Sequence, residues 1–97
     1  MKKEIFDYYA NKVAQNFGLT QEELFTKNRS RDYVDARWIL YYICIERPIS
    51  KASIQKFMFE NGFSVGSTTI LRGYKEAKKL IEEDSDYKAL VDNIIQE

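Results

Sequence analysis

Helix breakers are scarce in this chain. One proline and four glycines are spread over 97 residues, and between them apolar side chains recur at spacings of three and four, which only a 3.6-residue period can bring onto one face. The pattern predicts an all-α fold, a compact bundle of about six helices joined by short turns. With 44% hydrophobic residues, a chain this long can enclose one core of modest size, so a single domain is expected over 1–97.

Capping residues mark the expected boundaries. The first helix runs from about Lys3 to Asn16, burying Ile5, Phe6, Tyr9, Val13 and Phe17, with Gly18 at its C-terminal end. Thr20 and Glu23 form a Thr-x-x-Glu capping box for a short helix to about Thr26, and Lys27-Asn28-Arg29-Ser30-Arg31 comes next as a basic loop. A long third helix extends from near Asp32 to about Arg47, where Pro48 prevents propagation; its apolar run from Trp38 to Ile45 carries most of the core. Ser50 caps a fourth helix to about Glu60, facing inward through Ile54, Phe57 and Met58 and ended by Asn61-Gly62. The fifth is interrupted at Glu82-Glu83-Asp84. Asp84 or Ser85 then caps a sixth helix through about Gln96, with Tyr87, Leu90, Val91 and Ile94 on its apolar side.

Several chemistries lack their residues. The chain has no histidine, and Cys44 is its one cysteine, set inside an apolar run. No intramolecular disulfide, thiolate metal cluster or histidine-activated nucleophile can be assembled, so Cys44 reads as a buried structural thiol and no enzyme, cofactor or metal is expected. Neither a membrane-length apolar run nor a signal sequence is visible, and the expectation is a soluble, cytoplasmic protein without a membrane partner.

The zero net charge conceals an uneven distribution. Residues 51–81 hold six Lys/Arg against two acids, and residues 27–50 hold five against three, whereas residues 82–97 hold one Lys against six acids. A basic middle with an acidic tail suits a domain that turns one face to a polyanion.

The sharpest local signal is the stretch from Gly62 to Lys75, where a turn rich in Gly and Ser opens into a basic amphipathic helix. Ser67, Thr68 and Thr69 place small hydroxyls and free backbone N–H groups in a first turn, where they can meet a phosphate or a base edge. Arg72, Lys75 and Lys79 share a face behind them, opposite Ile70, Leu71, Tyr74, Ala77, Leu80 and Ile81. Together with the fourth helix this reads as a helix-turn-helix with a longer turn than its simplest form.

From about Val13 to Ile94 the chain resembles the C-terminal DNA-binding domain of the bacterial replication initiator DnaA, a helix-turn-helix domain of the Trp-repressor type. The resemblance is carried by Val13-Ala14-Gln15-Asn16-Phe17-Gly18-Leu19, Glu23-Leu24-Phe25, Lys27 to Arg31, Ala36-Arg37-Trp38-Ile39, Ser50 to Ile54 and the pair Ser67-Thr68. It implies double-stranded DNA as partner. The fifth helix would enter the major groove with Ser67, Thr68 and Thr69 leading and Arg72 and Lys75 on phosphates or a guanine edge. The basic loop, chiefly Arg29 with Lys27 and Arg31, would reach the adjacent minor groove, and Lys51 and Arg37 would clamp phosphates. The chain departs from the family where Val65 and Gly66 replace the signature Asp-His pair, where the turn is about three residues longer, and where Asp35 and Trp38 replace residues favourable to DNA. No Gly-x-x-x-x-Gly-Lys-Ser/Thr phosphate loop is present, so the ATPase of an initiator is missing, as suits a free-standing phage or mobile-element regulator. The alternative is a protein-interaction module on the same fold that engages a replication or transcription protein without DNA.

Overall fold

The computed structural model describes residues 2–96, and all regular structure among them is helical. The order is α1 (Lys2–Asn16), α2 (Gln21–Leu24), α3 (Arg31–Glu46), α4 (Lys51–Glu60), α5 (Ser67–Glu83) and α6 (Ser85–Gln96). Among the described residues, no helix is long and apolar enough to cross a membrane.

Local chemistry sets most of these boundaries. Gly18 leaves α1 at φ +68°, a left-handed conformation that costs glycine little, and the Leu19 N–H closes onto the Ala14 carbonyl at 2.8 Å. Both halves of the capping box form at α2: Thr20 Oγ1 accepts from the Glu23 N–H at 3.1 Å, and Glu23 Oε1 accepts from the Thr20 N–H at 2.9 Å. The bond from the Thr20 backbone, together with one from the Tyr33 hydroxyl, holds the Glu23 pKa below the usual carboxylate value. At α4, Ser50 Oγ accepts from the Ser53 N–H at 3.2 Å, and Gly62 at φ +86° turns the chain away after it.

α3 is the central element and touches every other helix. Ile39, Leu40, Ile43 and Cys44 are fully enclosed along it, which is why its sequence is apolar nearly all round. Around it, Phe6 of α1 meets the Phe57 ring of α4 at 5.4 Å and the Phe25 ring at 6.2 Å. Burying an aliphatic or aromatic side chain of this kind contributes about 1.5–3 kcal/mol.

The α3–α5 contact is the most extensive in the fold, and Gly73 allows it. A Cβ at that position would lie 2.7 Å from both Trp38 Cδ1 and Tyr41 Cδ2, closer than carbon atoms can approach. The missing side chain lets α5 rest directly on the two rings.

Three expectations are corrected. Ile5 is 42% exposed, because the inward stripe of α1 is Phe6, Tyr9, Ala10, Val13 and Ala14, and Ile5 falls one position off it, beside Tyr8. α2 stops at Leu24 rather than Thr26: the Leu24 and Thr26 carbonyls accept from the Arg37 guanidinium instead of continuing a helical ladder. α5 runs through Glu82 and Glu83, whose side chains are exposed and meet the helix C-terminus only weakly through water. Asp84, extended at φ −129°, then separates α5 from α6 and accepts the Asp86 N–H at 2.9 Å.

Candidate nucleic-acid interface

The basic loop is built around a buried cation. Arg37 is only 7% exposed. Its Nη1 donates to the Thr26 carbonyl at 2.9 Å and the Leu24 carbonyl at 3.4 Å, and its Nη2 donates to the Asn28 carbonyl at 2.8 Å. The Phe63 ring covers the guanidinium at 4.8 Å. Burial lowers the Arg37 pKa, yet guanidinium stays charged in proteins. The expectation of a phosphate clamp at Arg37 is therefore corrected: a side chain engaged with three carbonyls beneath a ring shapes the loop from inside. Within the loop, Asn28 Oδ1 accepts from the Ser30 N–H at 2.7 Å and from the Ser30 hydroxyl, closing a local turn that leaves Lys27 and Arg29 exposed.

Arg31 is the first residue of α3, not part of the loop. Its exposed side chain folds back along the helix, and its Nε donates to Asp35 Oδ2 at 3.1 Å, a contact that raises the Arg31 pKa. Asp35 itself is fully buried. The Tyr87 hydroxyl also donates to Oδ2, while Oδ1 has no partner among the described residues. Asp35 is thus turned into the α3–α6 contact and presents no carboxylate on the surface.

α5 begins without a side-chain cap. Gly66 occupies the N-cap position with no capping bond, and the first helical hydrogen bond is from the Ile70 N–H to the Gly66 carbonyl at 3.1 Å. Ser67, Thr68 and Thr69 are all exposed in this turn. Helical geometry sorts the side chains between Thr68 and Lys79 around the axis: Ile70 and Ala77 face the core, Thr68, Lys75 and Lys79 point outward, Thr69 and Arg72 toward the loop, and Leu71 and Tyr74 toward the start of α4.

On the loop side, Arg29, Arg37, Thr69 and Arg72 line one concavity of about 420 Å³, together with Val34, Trp38, Tyr41 and Phe63; among the described residues, no acidic side chain lines it. Lys27 joins Arg29 and Arg37 in an adjoining recess. On the other side, Lys51 lines a separate hollow with Leu71 and Tyr74. The fold thus brings Arg29, Thr69 and Arg72 together, sets Lys51 on the opposite flank of α5, and leaves Lys75 exposed on its outer face.

Sequence reasoning passed over the aromatic floor of Trp38, Tyr41 and Phe63. One signal for it was present: Gly73 inside a helix of good helix formers marks a close approach. Among the described residues, no group of three or more His, Cys, Asp or Glu gathers that could hold a metal ion. No protein-family model matches this chain, and no curated protein matches it in sequence.

Proposed function

We propose that this domain binds double-stranded DNA and regulates replication or transcription. α5 would enter the major groove as the second helix of a helix-turn-helix, led by Ser67, Thr68 and Thr69, while the 26–30 loop carries Arg29 toward the neighbouring minor groove. The observation that carries this reading is the grouping of Arg29, Thr69 and Arg72 around one concavity that, among the described residues, is free of acidic side chains, beside an uncapped helix N-terminus. A B-DNA major groove about 12 Å wide admits a helix of this kind, and Lys51 and Arg72 on opposite flanks of α5 would then face the two backbones that border it. Free N–H groups at the first turn favour an anion. The acidic stretch from Glu82 to Asp86 lies at the far end of α5, away from that turn.

Fluorescence anisotropy of the chain with labelled duplexes tests the reading. Roughly six phosphate contacts give a slope of log affinity against log salt near −5. A duplex bearing a DnaA-type box, compared with a scrambled one, reports whether the hydroxyl cluster reads bases without the Asp-His pair. No binding at low salt would overturn the proposal and favour a protein partner.

A further inference from the structure

We propose that the concavity between the 26–30 loop, α3 and α5 seats one nucleoside monophosphate unit, a planar base carrying a phosphate, either free or as one unstacked nucleotide of a strand. The inference adds a ligand pocket to the surface proposed to bind DNA, but its chemistry does not depend on groove docking.

The hollow is about 420 Å³, within the range of small-ligand sites, and its two ends differ in character. Tyr41 and Phe63 are buried and Trp38 is half-buried, so the floor is aromatic. The exposed Arg29 and Arg72 stand at the mouth with the Thr69 hydroxyl. A phosphate alone would leave the rings unused, and a neutral aromatic would leave both guanidinium groups unpaired. A base stacked on the floor with its phosphate at the mouth uses both.

A second observation points into the same hollow. Tyr41 is only 2% exposed, and its hydroxyl, which makes no hydrogen bond among the described residues, keeps access to solvent. A hydroxyl open to water can exchange that water for a ligand, and the edge of a base, rich in ring nitrogens and carbonyls, can accept from this one. Burial pushes the Tyr41 pKa up to about 12, so the group remains a donor at neutral pH. The same two rings, Trp38 and Tyr41, pack against α5 at Gly73, where an added Cβ would lie 2.7 Å from each.

Trp38 is the only tryptophan in the chain and lines the pocket, so its emission reports occupancy. The full chain is titrated with deoxyadenosine monophosphate, deoxyadenosine, inorganic phosphate and a short single-stranded oligodeoxyadenylate, with duplex anisotropy measured in parallel. The expected result is a saturable change of Trp38 emission with the monophosphate and a response about tenfold weaker, or more, with nucleoside or phosphate alone. Arg72→Ala and Tyr41→Phe should each weaken it several-fold, whereas Lys88→Ala, an exposed α6 residue outside the pocket, should leave it unchanged. Tighter binding of the oligonucleotide than of the monophosphate assigns the seat to a strand, and the reverse assigns it to a free nucleotide. No saturable response, or phosphate equalling the monophosphate, overturns the pocket; duplex binding that persists in that case leaves the DNA proposal standing.

Discussion

The Arg37 guanidinium donates through Nη2 to the Asn28 carbonyl at 2.8 Å, so the long helix holds the backbone of the residue that precedes Arg29. This bond and those to Leu24 and Thr26 convert an irregular segment into a defined platform. Lysine at position 37 would keep the charge but lacks the planar fork that reaches three carbonyls at once. Arg37→Lys should therefore lower stability by about 1–3 kcal/mol, the cost of buried acceptors left without donors. Urea denaturation checks this. A variant as stable as the parent would mean that charge alone matters at this position, as a phosphate clamp requires.

Gly73 and Trp38 give a second prediction. Alanine in a helix interior ordinarily gains about 1 kcal/mol over glycine, so a surface glycine would be improved by the change. At position 73 the added methyl meets two core ring atoms at 2.7 Å, and overpacking of this kind costs about 1–3 kcal/mol. Gly73→Ala should therefore be destabilising or at best neutral, and it should shift Trp38 emission, because α5 must move off α3 or the rings must turn. Thermal unfolding followed by circular dichroism measures the first effect. A clear rise in stability would show that the two helices are less closely seated.

Much of this architecture was legible because it is written in local chemistry. The capping box at Thr20, the cap at Ser50, the turns at Gly18 and Gly62 and the stop before Pro48 each involve residues a few positions apart, and each is found in the structure. The inward faces of α4 and α5 come from periodicity for the same reason. Relationships across the fold were not legible. Arg37 reaches Asn28 across nine positions and Tyr87 reaches Asp35 across 52, and no spacing rule tells a buried arginine from an exposed one. Ile5 was misplaced by a similar ambiguity: it and Phe6 are both apolar at neighbouring helical positions, and only the placement of α3 and α4 decides which of them turns inward.

Arg29 and Arg72 approach the same concavity from different elements, and this predicts a pattern for duplex binding. Each is exposed, so removing it should leave the fold intact. Arg29→Ala and Arg72→Ala should each weaken binding by about 1–3 kcal/mol, the range for one good groove or phosphate contact. Two groups acting on one short stretch of backbone should also couple, giving a double variant whose loss differs from the sum of the single losses. Anisotropy titrations at fixed salt measure all three. Unchanged affinity for Arg29→Ala would remove the loop from the interface.

Buried acidic protons set the alkaline limit of the fold. Burial raises the Cys44 thiol from an ordinary 9.0 to about 12 and the Tyr41 hydroxyl from 10.0 to about 12. Tyr87 rises to about 12 through burial first and its bond to Asp35 second. All three keep their protons in the folded state at a pH where the unfolded chain has released them. Their contribution is therefore complete below about pH 9 and is lost progressively as pH climbs toward 12, because the unfolded state then binds fewer protons and stability must fall. Urea midpoints should decline steadily from about pH 9 upward, and Cys44→Ala should make the decline shallower by removing one of the three groups. Below that window the buried Cys44 thiol should resist disulfide reagents until the chain unfolds, so that its modification rate tracks global opening. Rapid labelling of the native protein at neutral pH would show that α3 opens locally around Cys44, while a urea midpoint constant through the alkaline window would place these side chains in contact with water.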